Sequence, residues 1–252
     1  MAYDDVHDEI VVPQPQAQAI MTFRGGADGE EAPIRVIQGP LTLLGDSDDD
    51  PDRLALDPVN HEIFVPQKDY ILVFDRRANG NVAPLRILKG PDVFRRASGV
   101  AVDPVNNVLL VSGSPADGGP RGVMIFERTA EGNAKPLRMI RGPKTDLRGG
   151  GRIFSYPARG LILAEGESGT RRNVVSEEAN RTPLNEMAHD RGYVGVWSIH
   201  DSGDVPPRWM IGGPRGMMLQ IRGVALDPKN KTVMISDKRL NAVVTFSFPE
   251  IF

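Results

Sequence analysis

The chain contains no cysteine. That removes disulfides, thiolate metal sites and cysteine nucleophiles together, and leaves the redox compartment open. Histidine is scarce, with four in 252 residues, and no pair of them has metal-ligand spacing. Neither sign of charge dominates: 30 Lys and Arg against 33 Asp and Glu give a net charge of −3. Nucleic-acid binding, which needs a clearly basic surface, is therefore not expected. No apolar run approaches the roughly 18–20 residues of a membrane span, so no transmembrane segment is expected. The first ten residues are acidic and lack the apolar stretch of a signal peptide. Sustained 3.6-residue apolar stripes are missing as well, which argues against long amphipathic helices. What is abundant is punctuation: 27 glycines and 21 prolines fall at regular intervals and mark turns, not disorder.

Between those punctuation marks one pattern recurs. It runs Leu54-Ala-Leu-Asp-Pro58, Glu62-Ile-Phe-Val65, Ile71-Leu-Val-Phe74 and Ala83-Pro-Leu-Arg-Ile-Leu-Lys-Gly-Pro91. It returns as Val100-Ala-Val-Asp-Pro104, Val108-Leu-Leu-Val111, Val123-Met-Ile-Phe126 and Lys135-Pro-Leu-Arg-Met-Ile-Arg-Gly-Pro143. Further first elements begin at Ile153 and Val224, and further last elements begin at Ala32 and Pro207. Self-similarity at a period of about 40–50 residues signals propellers or solenoids. Each copy holds four short runs rich in Val, Ile, Leu and Phe, bounded by Asp-Pro, Asn-Gly and Gly-Pro turn signals. Four antiparallel strands, A to D from the inside outward, make one blade, and radial packing buries both of its faces. The expected architecture is an all-β propeller, five- or six-bladed, forming one domain over residues 1–252, with about five repeats visible.

The ends of the chain fall inside a blade. Ala2 to Pro13 aligns without a gap to Ala55 to Pro66, so the chain begins within a strand A. Val243 to Phe248 is a strand C, and no strand D follows it. Two readings stand: a gene product longer at its N-terminus, or a last blade of three strands. The compartment stays open, with a periplasmic or secreted location expected only if a leader precedes Met1.

The set Gly-Val-Ala-Val-Asp-Pro, a hairpin of aliphatic strands, then Asn-Val-Ala-Pro-Leu-Arg-Ile-Leu-Lys-Gly-Pro resembles the NHL-type repeats of bacterial β-propellers. The likeness spans the chain except for a stretch from about Glu167 to Asp190. It implies a propeller, mostly six-bladed in that group and often extracytoplasmic, that serves as a binding platform or, less often, as a lyase or lactonase.

Irregular length collects in the B–C and D–A loops, which propeller geometry places on one face. Binding residues concentrate on variable loops held by a rigid scaffold, while long surface loops are also cheap to tolerate. The largest insertion, Glu165 to Arg191, includes Glu165 and His189 and reads either as a lid over the central pocket or as a mobile loop. The acidic run Asp46 to Asp52 lacks the spacing of a calcium loop and reads as a solvated segment. Arg53, Arg152 and Arg222 lead into strand A in three repeats, where converging guanidiniums would hold a carboxylate or phosphate. The strand-D arginines Arg35, Arg86, Arg138 and Arg208, and the turn aspartates Asp57, Asp103 and Asp227, recur blade after blade and read as structural.

Ligand-binding candidates are thus Arg53, Arg152, Arg222, Glu165 and His189, with no catalytic residue, no metal ligand and no cofactor expected. The leading function is a non-catalytic binding or scaffolding propeller that takes a protein partner, an extended ligand or a small anion through the loop face. The alternative is a metal-dependent hydrolase, lactonase or lyase with its site in the central channel. No nucleophile–base pair supports that alternative. Carboxylates converging in the channel would favour it.

Overall fold

A computed structural model describes residues 1–45, 53–147, 151–167, 192–212, 216 and 218–252. Its strands group into five antiparallel sheets set in a ring, four of four strands and one of three among the described residues. Blade 1 holds β1 (Ala2–Asp4), β2 (Glu9–Gln14), β3 (Ala19–Arg24) and β4 (Arg35–Gln38). Blade 2 holds β5 (Ala55–Asp57), β6 (Glu62–Pro66), β7 (Ile71–Asp75) and β8 (Arg86–Leu88). Blade 3 holds β9 (Phe94–Asp103), β10 (Val108–Pro115), β11 (Gly122–Glu127) and β12 (Arg138–Arg141). Blade 4 holds β13 (Ile153–Tyr156), β14 (Leu161–Glu167), β15 (Gly192–Ser198) and β16 (Trp209–Ile211). Blade 5 holds β17 (Ile221–Asp227), β18 (Thr232–Asp237) and β19 (Ala242–Ser247). The open choice of five or six blades resolves to five.

The repeated polar residues hold this frame. In the turn between the first two strands, the Asp57 carboxylate accepts the Asn60 backbone and side-chain amides at 2.9 and 2.7 Å. Asp103 with Asn106 and Asp227 with Asn230 repeat the arrangement, which pins a tight reversal where proline denies the ladder a donor. Arg86 grips Glu62 at 2.5 and 2.8 Å. Arg128 of the next blade also reaches Glu62. Glu9 is clamped likewise by Arg35 of its own blade and Arg76 of the neighbour. Burial pushes the Glu9 carboxyl up, but the hydrogen bonds from Arg35 and Arg76 outweigh it and hold the group below its ordinary range. Arg208 pairs with Asp201, and Arg138 donates to the Ile199 carbonyl.

The outer strands β4, β8 and β12 are also latched to the blade that follows. Gly80, at φ +81, donates to the Val36 carbonyl and accepts from the Gln38 amide at 2.6 and 3.1 Å. Gly132 holds β8 and Gly203 holds β12 in the same way. The residue after each of these glycines caps a backbone amide of the preceding blade: Asn81 on Leu41, Asn133 on Asp92 and Asp204 on Lys144.

Four apolar cores lie between neighbouring blades, from blade 1 against 2 through to blade 4 against 5. Position by position the packing repeats. Ile20, Ile71, Val123 and Val194 are equivalent in the third strands and 0–1% exposed, each facing the next blade. Phe74, Phe126 and Trp197 face the preceding blade and are fully buried. Burying a side chain of this size contributes on the order of 1.5–3 kcal/mol. Among the described residues no such core joins blade 5 to blade 1. There Val243, the equivalent of Ile71, is 69% exposed, and Phe23, the equivalent of Phe74, is only half-buried.

A cationic cavity at the hub

The first strands of the blades surround a central cavity of about 1010 Å³. Its wall carries Arg53, Arg152, Arg222 and Lys238, and no Asp or Glu among the described lining residues. The remaining wall is largely apolar, with Leu54, Val100, Ile153, Phe154 and Val224.

Local backbone geometry sets these side chains. Arg222 is the unpaired residue of a β-bulge in β17, between Ile221 and Gly223. Ser98 occupies the matching bulge in β9, between Ala97 and Gly99. A bulge re-aims the side chain it carries and bends its strand. The bulge carbonyls then serve the blade before them: Arg53 donates to Ser98 O at 2.7 Å, and Arg152 donates to Arg222 O at 3.1 Å. Arginines leading into strand A therefore tie neighbouring blades together while they line the cavity.

The five residues singled out in the sequence meet different fates. Arg53, Arg152 and Arg222 all line the cavity. Glu165 belongs to β14, not to a loop, and together with Arg152 forms an ion pair at 3.1 Å, both side chains about 5% exposed. Arg152 is buried and paired within the scaffold, whereas Arg53 is half-buried and Arg222 and Lys238 are exposed. His189 lies outside the described residues, as do the acidic run 46–52 and most of the large insertion. That insertion is shorter than its sequence limits, because β14 extends to Glu167 and β15 starts at Gly192. Lys238 was missed: it follows β18 in a turn built on Asp237, which accepts the amides of Leu219, Gln220, Arg239 and Leu240. Among the other blades only blade 2 has a lysine at the equivalent position, Lys68.

On the opposite side, His7 and His61 approach to 5.2 Å between ring centroids, and His7 Nδ1 lies 2.9 Å from the Asp4 carboxylate. Among the described residues no group of three or more His, Asp or Glu is placed to hold a metal ion. Among the described residues no helix is long and apolar enough to cross a membrane.

The ring and its radial strand order define a five-bladed β-propeller. No protein family and no curated protein matches the chain. Among solved structures it is similar to one determined as the mitotic checkpoint complex, with TM-score 0.54 and 13% identity over 92% of this chain and 57% of that one. It also aligns with a dihydro-heme d1 dehydrogenase, NirN, in complex with DHE, with TM-score 0.49 and 10% identity over 100% of this chain and 44% of that one. The chain thus spans about half the length of these neighbours, and the likeness shows the fold alone.

Proposed function

We propose that this propeller is a non-catalytic binding scaffold that engages a protein partner or extended ligand through its B–C and D–A loop face. One observation carries the reading: the hub at that face is lined by four cations and no described carboxylate. The favoured partner therefore presents a carboxylate-rich segment or a small anion to Arg53, Arg222 and Lys238, with the guanidiniums supplying paired donors. The resemblance to NHL-type repeats, whose members often serve as binding platforms, supports the same reading.

The test is titration calorimetry with a hexaglutamate peptide. Binding is expected at low ionic strength, weakening as salt is raised because charges near a surface are screened. The double variant Arg53→Ala/Arg222→Ala should lose at least tenfold in affinity, while Arg159→Ala, away from the cavity wall, should not. Equal binding by both variants would remove the hub from the account, and no heat with any acidic probe would remove the anionic partner.

A further inference from the structure

Two of the four histidines stand where the repeat elsewhere places asparagine, and they stand beside each other. In the turn between the first two strands, Asn60, Asn106 and Asn230 each donate their side-chain amide to the aspartate of their own blade. In blade 1 that position is His7 and the aspartate is Asp4. His7 Nδ1 lies 3.0 and 2.9 Å from the two Asp4 oxygens, and the His7 backbone amide donates to the same group at 3.0 Å. The following turn position is Asn107 in blade 3, at φ +56, whose side-chain oxygen accepts Arg128 Nε at 3.0 Å. In blade 2 it is His61, at φ +58, whose Nδ1 is buried with no hydrogen-bond partner. An amide serves the turn at both positions, so turn formation requires neither imidazole.

The state of the two rings follows from their partners. A carboxylate can only accept, so the proton of His7 is on Nδ1 and the lone pair of Nε2 is left over. A carboxylate behind one ring nitrogen is the arrangement that fixes the tautomer of a metal-ligating histidine and raises its basicity. The ring centroids of His7 and His61 are 5.2 Å apart, with the planes inclined at 57°. Two imidazoles on one tetrahedral ion, each nitrogen about 2.0–2.1 Å from it, bring their centroids to about 5 Å. The neighbouring carboxylates are already engaged. Asp4 faces His7 and has Arg76 Nε at 3.5 Å, and Asp75, close enough to His61 to feel its charge, is held by Arg77 at 3.0 and 2.8 Å.

From this geometry we infer that His7 and His61 form a two-imidazole site for a divalent transition-metal ion of the zinc type, bridging blades 1 and 2. Imidazole donors suit Zn²⁺, Cu²⁺ and Ni²⁺, whereas Ca²⁺ and Mg²⁺ take oxygen ligands. Water completes the coordination, since no third protein ligand is placed there among the described residues. Sequence spacing does not mark the site because its ligands come from equivalent turns of different blades.

The test is titration of the untagged full chain with Zn²⁺, followed by calorimetry and by the imidazole nitrogen signals in NMR. Saturable binding is expected, with the His7 and His61 signals moving together and those of His200 unmoved. His7→Asn and His61→Asn each install the residue that other blades carry, so the turn is kept while a ligand is lost. Each should weaken Zn²⁺ binding at least tenfold, and Zn²⁺ should raise the thermal unfolding midpoint of the parent chain alone. Ca²⁺ should leave both signals in place. Absence of saturable Zn²⁺ binding, binding that survives both substitutions, or movement of one ring without the other would overturn the proposal. The titration on the parent chain decides the matter even if a variant folds poorly.

Discussion

The interface between blades 2 and 3 and the seam between blades 5 and 1 use equivalent positions to opposite effect. Across the first, Ile71, Leu88, Phe126 and Leu109 are fully buried in one core, and Gly132 latches β8 from the far side. Across the second, Val243 and Tyr3 are 69% and 59% exposed. Among the described residues the same repeat thus closes itself four times and leaves one interface without a shared core. Each closed interface has an outer strand on its earlier blade, as blades 1 to 4 do.

That contrast can be broken by paired substitutions. Val123→Lys places an unpaired ammonium in a sealed core and should abolish stable folding, since burying an isolated charge costs several kcal/mol. Val243→Lys at the equivalent seam position should change stability by less than about 0.5 kcal/mol. Urea unfolding of both settles the matter, and a large loss at Val243 would mean the seam is packed. Next in size, Phe126→Ala should lose about 3–5 kcal/mol. The half-buried Phe23→Ala should lose roughly half as much or less, because less surface is returned to water. Removing a latch is milder: Asn81→Ala deletes the cap on Leu41 and should cost about 1 kcal/mol, while Glu30→Ala should leave the free protein unchanged. The smallest effect is acidic. The Arg77 hydrogen bond holds the Asp75 carboxyl at about 2, below its unfolded value, so the stability it contributes is present above the ordinary carboxylate range and lost as pH falls toward 2. The equivalent residue in blade 5 is Ser247, so carboxyl titration followed by NMR should show no matching transition in β19.

Much of this was legible in the residues. Asp-Pro turns, Val- and Ile-rich runs and Gly-Pro endings fix the four-strand unit, because proline, glycine and branched side chains each restrict the backbone locally. Arg86 and Asp57 read as structural because they repeat, and their partners Glu62 and Asn60 repeat or recur nearby. The placement of Arg53, Arg152 and Arg222 around one cavity followed from the register of strand A. What the sequence concealed was non-local. Glu165 looked like a loop residue because its strand runs on without apolar residues, and its pairing with Arg152 depends on a fold contact that no spacing encodes. The bulges at Ser98 and Arg222 leave no mark in composition, and Lys238 shares its position with a lysine in blade 2 alone. The open seam was visible as a missing strand D, but its cost, an exposed Val243 facing a half-buried Phe23, emerges only when the five blades are set in a ring.

The comparison of closed and open edges is tested most directly by amide hydrogen exchange on the free protein, read residue by residue. A strand amide that shares the outward side of a bonded carbonyl is protected by the neighbouring strand, while an edge amide exchanges freely. Thr245 should exchange at least a hundredfold faster than Val73 and Ile125, its equivalents in blades 2 and 3. Protection of Thr245 equal to theirs would contradict an open edge at β19.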